Sequence, residues 1–137
     1  KNIKKNVTVL DYGCGSGILG IAAKKIGAKK VFGVDIDDQA IKSSQENAEI
    51  NNVEIIWNNT ENRLDYKADL VVANILSSSL SVLAPILANH CNTKGKIALS
   101  GILKSQEEDI KKIYSTWFNF NPSSIKDGWV LISGTKR

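Results

Sequence analysis

The stretch Val9-Leu10-Asp11-Tyr12-Gly13-Cys14-Gly15-Ser16-Gly17 most constrains what this chain can fold into. Residues 7–10 form an apolar, largely β-branched run that Asp11 closes, and three glycines at alternate positions follow before a helical pattern begins. A strand that turns into a helix over so few residues needs backbone angles that a Cβ forbids. A ligand, too, can approach the peptide groups only where no side chain stands in the way. The helix behind the turn points its unsatisfied N–H groups back at that ligand. Such a loop alone also fits a plain strand-to-helix turn, so the next element carries weight. Residues 30–34 form a second short apolar strand ending at Asp35, twenty positions after Gly15. At that spacing an acidic residue can accept both hydroxyls of a ribose. An adenosine-like ligand is expected.

Departures from the dinucleotide fingerprint narrow the ligand. A G-x-G-x-x-G loop would carry glycine at position 18, where this chain has Ile18, and Asp11 stands directly before the loop. A pyrophosphate would be repelled by that carboxylate. S-adenosylmethionine has no phosphate and carries a sulfonium and an ammonium, so an acid there is tolerated or useful. The D-x-G-x-G-x-G run resembles the first motif of class I S-adenosylmethionine-dependent methyltransferases.

Along the chain, Leu19, Ala22, Ala23 and Ile26 are expected to form the inner face of the first helix, which Gly27 ends. Asp37 is a candidate N-cap for a second helix with Ala40, Ile41, Ser44 and Ala48 inward. A third strand over 53–57 leads to Asn58-Asn59, polar amides where parallel sheets present ligand contacts. Either could meet the adenine, or the pair is simply a turn. Residues 60–67 form a polar connection, and a fourth strand over 68–73 runs into Asn74-Ile75-Leu76. In the helical pattern that follows, Pro85 predicts a kink or a fresh start. His90, the only histidine, falls at the far end of that helix and is assigned to surface or packing. Lys94-Gly95 reads as a turn before a fifth strand over 96–100, and Ile110, Ile113, Tyr114 and Trp117 mark a further amphipathic helix. Residues 118–125 with Pro122 fit an edge strand, 129–132 fit a covered one, and Asp127-Gly128 between them signals a hairpin. The residues themselves give the α/β class and no more.

Composition excludes several alternatives. At 137 residues with 42% hydrophobic and 23% charged, the chain has the makings of one globular domain, and no apolar run approaches the length of a membrane span. The polar, basic start is unlike a signal peptide, and the lack of any methionine suggests a piece of a longer protein. Cys14 and Cys91 have no metal-ligand spacing, so free thiols in a reducing cytoplasm and no metal site are expected. The net charge of +4 comes from scattered lysines without interleaved aromatics, which does not suggest direct nucleic-acid binding.

Taken in order, V-L-D-Y-G-C-G-S-G-I-L-G-I-A-A, G-V-D-I-D-D-Q-A-I, V-V-A-N-I-L and L-S-G-I-L-K-S-Q resemble the ribosomal protein L11 methyltransferase family over nearly the whole chain. That resemblance implies a Rossmann-like class I methyltransferase fold, a seven-stranded, mostly parallel sheet of order 3-2-1-4-5-7-6 with helices on both faces and a C-terminal antiparallel hairpin. It implies S-adenosyl-L-methionine as cofactor and transfer of methyl groups to lysine and N-terminal amines of ribosomal protein L11 in the cytoplasm. The candidate cofactor-binding residues are Asp11, Gly13, Gly15, Gly17, Asp35, Ile36, Asn58 and Asn74, and Asn74 is also the candidate catalytic residue. The family further has an N-terminal recognition domain and a threonine-bearing segment upstream of the first strand, neither present in residues 1–137. A fragment that binds cofactor without turnover is therefore an alternative, as is a methyltransferase of another protein or small-molecule amine. Methyltransferases of planar nitrogens resemble one another in an N-P-P-Y-type motif. Here Asn74-Ile75-Leu76-Ser77 has no aromatic to stack on a flat target, which favours a tetrahedral amine.

Overall fold

A computed structural model of the chain describes residues 7–59 and 67–137, and the side chains of Asn58 and Asn59 fall outside that description. The elements alternate from the start: β1 (Thr8–Tyr12), α1 (Ile18–Ile26), β2 (Lys30–Asp35), α2 (Asp38–Ile50), β3 (Ile56–Asn59), β4 (Ala68–Asn74), α3 (Ser77–Asn89) and β5 (Cys91–Leu103). After one 3-10 turn come α4 (Glu107–Tyr114), β6 (Phe118–Phe120), β7 (Ser124–Lys126) and β8 (Trp129–Lys136). All strands join one sheet of order β3-β2-β1-β4-β5-β8-β6, with β7 also beside β8. The first five run parallel and β8 lies antiparallel between β5 and β6. This is the expected 3-2-1-4-5-7-6 order. Its sixth strand is broken into β6 and β7 around Pro122, which has no N–H to give a ladder. Asp127 (φ 53) and Gly128 (φ 81) supply the two positive φ angles of a tight hairpin turn between β7 and β8.

Strand alternation divides the core between two faces. Leu10, Tyr12, Val34, Val71, Ala73, Ile97, Leu99 and Ile132 meet Leu80, Ala84, Leu87, Ile110 and Tyr114 of α3 and α4. Val9, Val31 and Leu70 meet Ala23 of α1 on the opposite face. Tyr114 is fully buried and donates its hydroxyl hydrogen to the Leu80 carbonyl at 2.7 Å, pinning α4 to α3. His90 is buried at the α3 C-terminus, far from the strand tips, as its place in the sequence implies.

Several local expectations are corrected. In α1 the buried residues are Gly20, Ile21 and Ala23, while Ile18, Leu19 and Ile26 are largely exposed. The inner face is set by Gly20, where a Cβ would stand 3.2 Å from Val31 and 3.4 Å from the Asp11 carboxylate. Helix α3 continues through Pro85 without a fresh start. Pro85 is on the exposed side, where water can serve the Ser81 carbonyl that it leaves without a donor. Strand β3 begins at Ile56 instead of position 53, because the Val53 N–H is still engaged by the Ala48 carbonyl at the end of α2. Lys94-Gly95 is an irregularity inside a long β5 instead of a turn before it. Of the polar connection over 60–67, residues 60–66 lie outside the described residues.

Candidate functional site

Strands β1, β2 and β4 end together, and the candidate residues gather at that edge. Gly13 (φ 73), Gly15 (φ 55) and Gly17 (φ 83) all adopt left-handed backbone angles, which only glycine takes readily. The requirement is sharpest at Gly13, where a Cβ would stand 2.5 Å from Cγ2 of Ile75 just beyond β4. Gly13 and Cys14 donate their N–H groups to the Val34 carbonyl at 2.7 and 2.9 Å, tying the loop to the end of β2.

Asp35, the last residue of β2, is held from two sides. Gly15 N–H donates to its Oδ2 at 3.0 Å and Asp37 N–H to its Oδ1 at 2.9 Å. Each carboxylate oxygen keeps further lone-pair capacity. The carboxylate therefore stands oriented, partly exposed and able to accept two more hydrogen bonds. It lines a cleft of about 710 Å³ with Tyr12, Gly13, Ile36 and Ile75, closed on one side by Ser78, Ser79, Val82, Leu83 and Ile86 of α3. Ile36 is 79% exposed, an apolar side chain presented to that cleft.

Asn74, the last residue of β4, lies exposed beside a second cleft of about 510 Å³. Ser100 and Gly101 of β5 line it, together with Ile125, Lys126, Trp129 and Leu131 of the hairpin. Gly101 has φ 79, and a Cβ on it would meet Asn74 Oδ1 at 2.8 Å and the Ile75 carbonyl at 3.1 Å. The break in register between Leu99 and Ile102 thus makes room for the Asn74 side chain. Adjacent residues Asn74 and Ile75 face the two clefts, so the clefts meet at the tip of β4.

Asp11 differs from the other candidates. It is 1% exposed, and its Oδ2 accepts the Gly20 N–H of the first turn of α1 at 3.1 Å. Burial raises its carboxyl to about 6 against the lowering effect of that hydrogen bond, and the nearby Asp35 charge adds to the rise. The residue lies beneath the loop and not in its mouth, so it acts on the site by filling the helix N-terminus from inside. Burial likewise pushes the Cys14 thiol up to about 11, which keeps it protonated at neutral pH. Gly15 is exposed and Gly17 buried, and the side chain of Asn58 lies outside the described residues. Among the described residues no group of three or more His, Cys, Asp or Glu side chains could hold a metal ion.

The sequence reading missed Ile75, Gly101, Trp129 and two polar residues of α2, Ser44 and Asn47, which bind the loop. Ser44 Oγ donates to the Gly15 carbonyl at 2.7 Å and Asn47 Nδ2 to the Ser16 carbonyl at 2.8 Å. The L-S-G-I-L run already contained Gly101. No sequence spacing announces partners 29 and 31 positions apart.

The model of the family described as ribosomal protein L11 methyltransferase (PrmA) matches residues 1–137. This chain belongs to the ribosomal protein L11 methyltransferase family. It is 52% identical over 135 residues to the ribosomal protein L11 methyltransferase of Methylobacillus flagellatus, covering 98% of this chain and 46% of that protein. It is 47% identical over 139 residues to that of Chromobacterium violaceum, with 100% and 46% covered. The chain thus spans about half the length of the curated relatives it matches. A crystal structure of ribosomal protein L11 methylase from Lactobacillus delbrueckii subsp. bulgaricus superposes with a TM-score of 0.94 at 36% identity, over 99% of this chain and 73% of that one. At 19% identity, magnesium protoporphyrin IX methyltransferase from Synechocystis, solved with bound S-adenosylhomocysteine, has a TM-score of 0.83 over 97% of this chain and 75% of that one, a likeness of fold. The L11 methyltransferase family therefore accounts for the class I methyltransferase fold.

Proposed function

We propose that this chain is the cofactor-binding, catalytic domain of a cytoplasmic S-adenosylmethionine-dependent methyltransferase that modifies lysine and N-terminal amines of ribosomal protein L11. The observation that carries the reading is the Asp35 carboxylate. Backbone donors hold it on both oxygens at the lip of a cleft suited in size to a nucleoside bearing an amino-acid tail. The residues fit such a ligand. Asp35 would accept the ribose hydroxyls, Ile36 and Ile75 would offer apolar surface to the adenine, and the bare Gly13 lets Ile75 close against the loop at the cleft wall. A pyrophosphate would find fewer donors here than at an open glycine loop. The Gly13 and Cys14 N–H groups are taken by the Val34 carbonyl, that of Gly20 by Asp11 and that of Gly15 by Asp35. A nicotinamide cofactor is disfavoured on that ground.

When bound, S-adenosylmethionine supplies an electrophilic methyl group. The chain's own residues have two tasks. Asn74, at the junction of the clefts, would orient the acceptor nitrogen through its side-chain or backbone oxygen, a contribution of proximity and alignment. Ile125, Trp129 and Leu131 give the smaller cleft an apolar wall that suits the aliphatic stem of a lysine. The neutral amine must lose its proton before it attacks, and no histidine stands at the strand tips, so deprotonation falls to solvent.

A second reading is favoured by one fact: the chain matches 46% of the length of its curated relatives. A module that binds cofactor but does not turn over L11 by itself fits that fraction. Calorimetry of S-adenosylhomocysteine on the chain and on Asp35→Ala tests the shared part. Loss of hydrogen bonds to a carboxylate costs about 2 to 3 kcal/mol, so binding should weaken about thirty-fold or more. Equal affinity in the variant would overturn the assignment. Labelled methyl transfer to purified L11 then separates the two readings.

A further inference from the structure

We propose that Ser44 and Asn47 are positioning residues for cofactor capture, acting through the glycine loop on Asp35. The inference rests on the cofactor reading above. Three positive-φ glycines make the loop sterically open and also conformationally free, so its peptide planes need an outside constraint. Helix α2 supplies it. Ser44 and Asn47 lie three residues apart on one helical face and grip consecutive carbonyls, those of Gly15 and Ser16. Ser44 is fully buried, so its hydroxyl is shielded from water, and the Cys14 thiol stands 3.6 Å from it.

Gly15 then transmits the constraint. Its carbonyl is fixed by Ser44, and its N–H, on the other side of the same α-carbon, supports Oδ2 of Asp35. The N-cap of α2 completes the frame. Asp37 accepts the Gln39 N–H with its side chain and donates its own N–H to Oδ1 of Asp35. One helix thus holds the loop by its middle and the acidic residue by its other oxygen. The distance between the two is set by α2 and not by the flexible glycines. Without the latch, the Gly15 peptide is free to turn and Oδ2 loses its donor.

The test is a double-mutant cycle read by calorimetry with S-adenosylhomocysteine on the whole chain. Ser44→Ala removes the hydroxyl with little change of size, and Asn47→Asp keeps the shape while replacing the donor by an acceptor that repels the Ser16 carbonyl. Each should weaken binding about three- to ten-fold at temperatures well below unfolding, in the range of one lost hydrogen bond. Asn47 is only partly buried, so its variant remains informative even if Ser44→Ala folds poorly. In an Asp35→Ala background the same substitutions should cost less than two-fold, because the carboxylate they orient is gone. Hydrogen exchange of the Gly15 amide should accelerate in both single variants. Unchanged affinity in the single variants, or an equal loss with and without Asp35, would overturn the latch. Failure of the unsubstituted chain to bind would instead overturn the cofactor reading.

Discussion

Replacing Asp11 by asparagine should change how stability depends on pH. Asp11 is buried beneath the glycine loop, and burial lifts its carboxyl from 3.8 to about 6. The folded chain therefore holds this proton more tightly than the unfolded chain does. Stability from this group is fully present below about pH 3.8 and is lost as pH rises through about 6. At 1.36 kcal/mol per pH unit the whole loss is about 3 kcal/mol, of which about 2 kcal/mol falls between pH 4.5 and 7.5. Asparagine has no proton to exchange, and its carbonyl can still accept the Gly20 N–H. A carboxylate at a helix N-terminus gains about 0.3 to 1 kcal/mol from the dipole. Losing that offsets the variant's curve only where Asp11 is ionised, and so reduces the slope without removing it. Urea unfolding followed by tryptophan fluorescence at pH 4.5, 5.5, 6.5 and 7.5 gives the comparison. Asp11→Asn should gain stability relative to the parent chain between pH 4.5 and 6.5 and level off by pH 7.5. A difference that stays flat with pH would refute the view that this carboxyl is held in a desolvated site.

Gly13→Ala and Gly15→Ala both place a Cβ at positive φ, a strain of about 1 to 2 kcal/mol. Only the first meets Ile75, while the second points into open space. Thermal melts should rank Gly13→Ala as the more destabilised, and calorimetry should show it binding S-adenosylhomocysteine more weakly than Gly15→Ala does. Tyr114→Phe removes the buried hydroxyl bound to the Leu80 carbonyl and should cost about 1 kcal/mol in urea unfolding, with cofactor affinity unchanged. In a full-length relative such as the Methylobacillus flagellatus protein, alanine at the position of Asn74 should lower kcat more than it weakens cofactor binding. With solvent as the base, the rate on lysine should climb well past neutral pH, since freeing the amine costs about 4 to 5 kcal/mol at pH 7, against about 1 for an N-terminal amine. A bell-shaped profile centred near pH 6.5 and abolished at the position of His90 would refute that.

What the sequence disclosed, and what it hid, follows from the range of the interactions. Gly13, Asp35 and Asn74 sit at ends of parallel strands, and a sheet of alternating β and α elements brings such ends to one edge whatever its side chains do. Their association was legible from order alone. The facing of α1 was not. Ile18, Leu19, Ile21, Ala22, Ala23 and Ile26 offer apolar surface on nearly every side, so periodicity has several solutions. The choice fell to the smallest residue, Gly20, which lets α1 approach where a Cβ would press on Val31 at 3.2 Å and on Asp11 at 3.4 Å.

Asp11 and Ser44 show the same limit in the chemistry of the site. By position Asp11 reads as a charge beside the ligand, but the structure places it beneath the loop instead of at its mouth. Its carboxylate is withdrawn from solvent and occupies the α1 N-terminus, where a phosphate would otherwise find a donor. Ser44 reads as one more inward residue of α2, and its role appears only when the Gly15 carbonyl, 29 residues away, is brought against it. Both side chains are buried polar groups whose partners are backbone atoms of another element. A buried polar group must be satisfied somewhere, and a single sequence says that this is so without saying where. In this fold Asp11, from β1, is satisfied by the first turn of α1 just behind the glycine loop, and Ser44, from α2, by the Gly15 carbonyl of the loop itself. The loop is thus held less by its own glycines, which permit many conformations, than by Ser44 and Asn47 on its carbonyls and Asp35 on the Gly15 N–H.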